Sequence, residues 1–292
     1  MHTVLFRAFP FLLFLPFLLL SGCALKWESA VDSVQPASFD STALSLKGEA
    51  DACFERSATK AEIENCLGLY KEVLQKSPAD YHSLVRASTL HILLGTAYTD
   101  NSFRKSDHFM LAMKYAELAM YTNQDFYQRI LAGEKPWEAA DALTRNELEA
   151  VFFWVTALQY EFKEGMSLPS KIVNIGWLER ALVMLERIES LDPEFGGGGV
   201  EFAKVICYYA LPSSRGGSKQ TGDQLMQEAV KKGETWLLPR WARGKYYYEI
   251  NGNEQEQKKD LEWVASRPLD SFEDPYPWRI HFQENARELL SE

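Results

Sequence analysis

The sequence has 292 residues and a formal net charge of −10 at pH 7, with 31 Lys and Arg against 41 Asp and Glu. This length suffices for one large domain or an elongated repeat array, and either can bury a substantial core. The negative charge and the absence of clustered Lys and Arg argue against a nucleic-acid-binding surface, because such a surface must neutralise phosphates.

Residues 1–22 have the features of an export signal. The segment from Leu5 to Leu20 is almost wholly apolar, follows a single Arg7, and ends in small residues directly before Cys23. A charged start, a short apolar middle and a small-residue exit define such a signal. A membrane-spanning helix is the alternative, but the apolar run is shorter than the roughly 20 residues a bilayer requires and contains prolines.

The end of this signal closely resembles the modification site of bacterial lipoproteins. In that class the cysteine is acylated and becomes the new amino terminus, so we expect lipid attachment at Cys23 and a membrane anchor. Ala24 stands where an aspartate often means inner-membrane retention in enterobacteria, which slightly favours the outer membrane. Residues 23–41 lack a helical period and mix Pro, Ser, Asp and Gln, so they predict a flexible tether.

Residues 42–292 predict an all-α domain, because apolar residues recur at spacings of three and four and no alternating strand pattern appears. Three apolar stripes show this spacing: Ile63, Leu67, Tyr70 and Leu74; Leu148, Val151, Val155, Leu158 and Phe162; and Ile175, Leu178, Leu182, Leu185 and Ile188. Thr144 and Glu147 fit a capping box that begins the second of these helices. Pro193 ends the third, because proline cannot continue a helix.

Two segments share a pattern typical of the second helix of a tetratricopeptide repeat. A small residue is followed by larger residues four and seven positions later and by proline at the twelfth. The pattern fits Cys66, Tyr70, Val73 and Pro78, and again Ala181, Leu185, Ile188 and Pro193. We therefore expect stacked helical hairpins in a tetratricopeptide-like array with a concave binding face. A non-repetitive helical bundle is the alternative.

Cys53 and Cys66 flank a short polar stretch that is suited to join two helices. If these helices are antiparallel, the two sulfurs lie at similar heights beside the turn. Export to an oxidising compartment would then favour a disulfide. Two buried free thiols are the alternative.

The sequence contains few residues in patterns that indicate chemistry. No histidine of the mature chain fits a metal-ligand spacing, and no motif for covalent catalysis appears. Cys207 lies in an apolar run, which favours a buried, inert thiol. The glycines at 196–199 and at 216–217 lack the spacing of a phosphate-binding loop. We expect neither a metal site nor a cofactor.

The carboxy-terminal part of the chain is rich in Trp and Tyr. Most of these rings are expected to pack in the core, although a groove lined by aromatic rings is also a common site for apolar ligands and partner helices. The residues are Trp236, Trp241, Tyr246, Tyr247, Tyr248, Trp263, Tyr276 and Trp278.

Four segments carry a family resemblance. They are 191–197 (Leu-Asp-Pro-Glu-Phe-Gly-Gly), Tyr209-Ala210-Leu211-Pro212 followed by Gly216 and Gly217, 284–290 (Glu-Asn-Ala-Arg-Glu-Leu-Leu), and Phe152-Phe153-Trp154 with Ala157. Together with the lipoprotein-like Cys23, they resemble the T component of tripartite ATP-independent periplasmic (TRAP) transporters, the TatT family. The sequence departs from the family pattern in its four consecutive glycines and in Ser218 after Gly217.

The resemblance implies a non-enzymatic accessory protein of tetratricopeptide-like fold. Such proteins are thought to associate with the transporter's periplasmic solute-binding protein, can form homotrimers, and offer a cleft or pore for a small apolar ligand. We therefore expect a lipid-anchored scaffold in the bacterial envelope, facing the periplasm, that binds this partner. A general envelope scaffold for assembly or peptidoglycan factors is the alternative, and an enzyme would require a carboxylate pair in a deep cleft.

A set of residues is hypothesised to form the cleft or interface: Trp154, Arg215, Gly216, Gly217, Arg240, Trp241 and Asn285. The alternatives are core packing for the two tryptophans, solvated surface charge for the two arginines, and a structural hydrogen bond for the asparagine.

Overall fold

The computed structural model describes residues 24–35 and 40–292. The expected export signal, Cys23 and residues 36–39 of the expected tether lie outside the described residues. Within the described ranges the ordered elements are helical and no strand occurs, which confirms the all-α prediction. The stacked-hairpin repeat stays a prediction.

The first helices form the amino-terminal half of the domain: α1 (Ser41–Phe54), α2 (Lys60–Lys76), α3 (Tyr81–Ala97), α4 (Ser102–Met120), α5 (Gln124–Leu131) and α6 (Leu148–Tyr160). The remaining helices are α7 (Leu168–Val173), α8 (Gly176–Leu191), α9 (Gly199–Ala210), α10 (Lys219–Lys232), α11 (Leu238–Ala242), α12 (Tyr248–Asn251), α13 (Glu254–Ser266) and α14 (Tyr276–Ser291).

Two π turns and several 3₁₀ turns complete the part of the chain that the structure describes. The π turns are Glu161–Gly165, directly after α6, and Arg243–Tyr247, directly after α11. The 3₁₀ turns are Ala30–Ser33, Ala140–Ala142, Arg145–Glu147, Ser213–Arg215 and Leu269–Ser271.

Helix α6 lies at the centre of the packing. It contacts α3, α4, α8 and α9, while α1 packs on α2, α9 on α10, and α13 on α14. The predicted stripe of α6 is confirmed, because Leu148, Val151, Val155, Leu158 and Phe162 are all buried in one continuous core. A helix contacted by four others must be apolar over most of its circumference.

The predicted helix ends agree with the structure. Thr144 begins the turn that leads into α6, and its backbone N–H donates to a side-chain oxygen of Glu147 at 2.8 Å, as a capping box requires. Helix α8 ends at Leu191, two residues before Pro193. Both ends are encoded by a few neighbouring residues.

Residues 24–33 differ from the expected flexible tether, because they are bound to the helical domain. The Trp27 indole N–H donates to Glu117 Oε2 at 2.9 Å, and the Ala30 N–H donates to Glu117 Oε1 at 3.0 Å. Burial raises the pKa of Glu117, and these hydrogen bonds oppose the rise. A buried carboxylate needs such donors, so it fixes the segment that supplies them.

A disulfide joins Cys53 of α1 to Cys66 of α2, with the two Cα atoms 5.5 Å apart. Cys66 is fully buried between the paired helices. Cys207 is a buried free thiol, and burial raises its pKa to about 12, so it is held in the unreactive protonated form.

We predict that the Cys53→Ala/Cys66→Ala variant has a free energy of unfolding about 3 kcal/mol lower than the native chain, because the cross-link restricts the unfolded state. Urea denaturation measures this difference. A reductant should lower the midpoint of the native chain and leave that of the variant unchanged. A native midpoint that does not respond to reductant would contradict the prediction.

Candidate ligand cavity

A partly open cavity of about 610 Å³ lies beside α6 and α9 and is also lined by the segments around 236–250 and 274–282. Its volume falls in the range of small-molecule sites, roughly 300–1,000 Å³. Protein interiors are otherwise close-packed, so an apolar space of this size is not expected from imperfect packing.

Aromatic residues are the commonest class of side chain in the cavity wall. They are Phe152, Phe153, Tyr160, Phe162, Phe195, Phe202, Tyr209, Trp236, Tyr246, Tyr247, Trp278 and Phe282. The rings of Phe202 and Tyr246 are stacked with centroids 6.1 Å apart, and those of Phe152 and Phe195 meet edge to face at 5.9 Å. Such a wall suits an apolar or aromatic molecule.

The two π turns meet at this cavity. The first carries Lys163 and the second carries Tyr246, and the Lys163 ammonium lies 3.3 Å from the centre of the Tyr246 ring. The surrounding protein desolvates the Lys163 ammonium and lowers its pKa to about 8, although the residue as a whole is exposed. No ion pair of Lys163 with a carboxylate is found among the described residues. A π turn inserts an extra residue in a helix and is frequent at functional sites, and here it directs a cation into an apolar wall.

Asp274 is the buried acidic residue of the cavity wall. Its carboxylate accepts hydrogen bonds from the backbone N–H of Leu237 at 2.6 Å and of Leu238 at 3.3 Å. It thereby caps the start of α11, which positions the following π turn. Burial raises the pKa of Asp274 to about 6, although both hydrogen bonds oppose this.

The structure places Trp154, Trp241 and Asn285 outside the cavity wall. Both tryptophans are fully buried. The Trp241 indole N–H donates to Asn285 Oδ1 at 3.1 Å, and the Trp241 ring packs at 4.6 Å on Phe282, which does line the cavity. Trp241 and Asn285 therefore support the wall from behind.

Arg215, Gly216, Gly217 and Arg240 also lie away from the cavity. Arg215 forms a two-point ion pair with Glu179, with both N–O distances at 2.7 Å. Gly216 has φ +89°, and a Cβ on Gly217 would lie 1.8 Å from a backbone oxygen, so both glycines are required by the turn. Gly217 lines a separate, more polar hollow of about 310 Å³.

Arg240 contacts Asp260 at 3.2 Å and lies over the Trp263 ring at 4.6 Å. None of the seven hypothesised residues therefore contacts the main cavity. Their place at a partner interface stays a prediction.

The aromatic residues of the carboxy-terminal part indicated the cavity better than the hypothesised set did, because Trp236, Tyr246, Tyr247 and Trp278 line it. No pattern in the sequence pointed to Lys163 or Phe202. Phe152, Phe153 and Phe195 appeared in the sequence only within segments that carry the family resemblance.

The described residues contain no group of three or more His, Cys, Asp and Glu side chains placed to hold a metal. His91 and His108 face each other with their Nδ1 atoms 3.0 Å apart, and burial lowers the pKa of His91 to about 3. Over the same residues, no helix is both long enough and apolar enough to cross a membrane.

The sequence matches the model of the TRAP transporter T-component family over residues 94–292. The chain belongs to this family. A search of curated proteins found no match. The family comprises transporter accessory components associated with the periplasm and the cell envelope. All residues of the cavity wall lie within the matched range, whereas the disulfide and the bound segment 24–33 precede it.

We predict that Ile206→Trp weakens binding of the neutral fluorescent probe N-phenyl-1-naphthylamine by at least about tenfold, or about 1.4 kcal/mol. Ile206 lines the cavity, and a larger ring there occupies space that the probe needs. Fluorescence titration measures the affinity. Val183→Trp on α8, at a site 42% exposed, is the matched control and should bind as the native chain does. Equal affinities of the two variants would contradict a cavity site.

We predict that the native chain loses about 2–3 kcal/mol of stability relative to Asp274→Asn as the pH rises from about 4 to about 6. The pKa of Asp274 is about 6 in the folded state, above the unfolded value of about 3.9, so ionisation weakens folding in this window.

Urea unfolding at several pH values measures the stability difference between these two proteins. Asp270→Asn, at an exposed position, is the control and should give a curve parallel to that of the native chain. If the stability of Asp274→Asn varied with pH in parallel with that of the native chain, the prediction would be contradicted.

Proposed function

We propose that this protein is a non-enzymatic, lipid-anchored accessory component of a TRAP transporter. It holds a small, partly apolar ligand in the cavity beside α6 and passes it to the periplasmic solute-binding protein. The observation that carries this proposal is the 610 Å³ aromatic-lined cavity within the family-matched part of the chain.

The shape and chemistry of the cavity support binding of a ligand with a large apolar part. Rings of α6, α9 and the Arg243–Tyr247 turn provide apolar contact area, which supplies most of the affinity of such sites. Lys163 offers one polar group for orientation, because its ammonium lies on the Tyr246 ring and forms no ion pair with a carboxylate among the described residues. The ligand is therefore apolar over most of its surface and polar at one end.

A binding role fits the acidic residues of the wall better than catalysis does. Glu149 and Asp274 are the acidic residues that line the cavity. The Asp274 carboxylate is already engaged by two backbone amides at the start of α11. A general acid or base needs a carboxyl group free to reach the substrate.

The proposal includes acylation at Cys23 and exposure of the domain to the periplasm, with the outer membrane slightly favoured over the inner. A homotrimer belongs to the proposal as well. Family membership supports the envelope location, and the segment that follows Cys23 leads directly to the surface of the domain.

The acylated protein in detergent, mixed with the solute-binding protein encoded beside the transporter genes, should form a complex in sedimentation velocity. Concentrations up to about 50 μM are suited to weak, transient contacts. A complex with an assembly or peptidoglycan factor in place of this partner would instead indicate a general envelope scaffold.

The same mixture tests transfer of the ligand. Native protein preloaded with N-phenyl-1-naphthylamine should lose probe signal when the solute-binding protein is added. Ile206→Trp should retain the complex and lose the transfer, because its substitution lies inside the cavity. No complex in this concentration range would overturn the proposed function.

A further inference from the structure

Leu25 is fixed at the junction of α7 and α8. Its backbone N–H donates to Asn174 Oδ1 at 2.6 Å, and its carbonyl oxygen accepts from the Trp177 indole N–H at 3.2 Å. Asn174 is buried directly after the last residue of α7, and Trp177 is buried in the first turn of α8. The chain therefore leaves the domain at a defined place.

The lipid-bearing residue of the proposed function, Cys23, precedes Leu25 by two positions. Two residues of fully extended chain span at most about 7 Å. Acyl chains on Cys23 begin at the headgroup level of a bilayer. Because the reach is so short, an acylated Cys23 brings the bilayer surface up against the α7–α8 junction.

Helix α7 presents an apolar surface at this junction. None of its residues is buried, and Leu168 and Ile172 have 72% and 68% of their surface exposed. Val173 adds a third exposed apolar side chain. Contiguous exposed apolar groups are unusual on a soluble surface and commonly mark a contact with another phase or partner.

The charge of the α7 segment itself also suits a lipid surface. Residues 166–176 contain Lys171 and no Asp or Glu, in a chain whose net charge is −10. Anionic headgroups attract basic residues and repel acidic ones. Lysine beside exposed Leu and Ile matches the composition of helices that lie at a membrane interface.

We propose that α7 lies on the bilayer surface, with Leu168, Ile172 and Val173 inserted at the headgroup level. This inference depends on acylation at Cys23, which belongs to the proposed function. It assigns the orientation of the domain, because a bilayer contact at α7 fixes which side faces the lipid. Lys171 of α7 also lines the cavity, so that edge of the cavity lies at the bilayer surface.

The test uses the acylated full chain with Ile172→Cys, labelled with a nitrobenzoxadiazole fluorophore. The other cysteines are Cys23, which carries the lipid, the Cys53–Cys66 disulfide, and the buried Cys207. The protein is bound to vesicles of phosphatidylethanolamine and phosphatidylglycerol. These vesicles also contain a lipid that carries a nitroxide quencher close to its headgroup. We expect a blue-shifted emission and at least about twofold quenching, as for a group at the interface.

Leu44→Cys provides the matched control. Leu44 lies on α1 and is 70% exposed, close to the exposure of Ile172, and α1 packs on α2. The fluorophore there should keep the emission of an aqueous label and show no quenching. Equal emission and quenching at the two positions would overturn the proposed orientation.

Two further outcomes separate this inference from the proposed function. Failure of the acylated protein to float with vesicles would contradict the anchor itself. Flotation with an aqueous signal at Ile172 would leave the anchor intact and overturn the bilayer contact. A blue-shifted Ile172 label in unacylated residues 24–292 without vesicles would show that a second copy covers α7, which also overturns the proposal.

Discussion

The arrangement of the domain depends on α6, which packs against other helices on one flank and borders the cavity on the other. Four helices pack against it, so Trp154, Val155 and Leu158 are fully buried. Its other flank carries Phe152 and Phe153, which face the cavity. Both flanks are apolar, but only one is filled by other helices. The cavity beside such a helix keeps its shape because the packing of the surrounding helices holds α6 in place.

Two polar groups at this cavity, the Lys163 ammonium and the Tyr246 hydroxyl-bearing ring, are placed by departures from regular helix. The turn after α6 brings Lys163 to the wall, and the turn after α11 brings Tyr246 beneath it. Gly165 lies in the first of these turns, next to Glu161. A larger residue at this position would place its Cβ 2.2 Å from the Glu161 carboxylate. A regular helix would direct different side chains to these positions, because the extra residue changes the angular register.

The local features of the sequence were predictable, because neighbouring residues encode them. Thr144 and Glu147 form the cap, and Pro193 follows the end of α8. The cavity wall was less predictable, because a ring fills a core or borders a space according to what lies opposite. Trp236 borders the cavity and Trp241 is buried behind it. The binding of residues 24–33 was not predictable either, because its acceptor Glu117 lies far along the chain.

The bound amino-terminal segment is connected to α6, the helix beside the cavity, through a series of tryptophan rings. Trp27 meets Trp137 with centroids 6.3 Å apart, Trp137 meets Trp177 at 5.4 Å, and Trp177 meets Trp154 of α6 at 6.5 Å. Such rings are rigid and bury large areas, so they transmit position from one element to the next. The position of α6 relative to the bound amino-terminal segment is therefore determined by core packing. A flexible tether of the same length would leave that position undetermined.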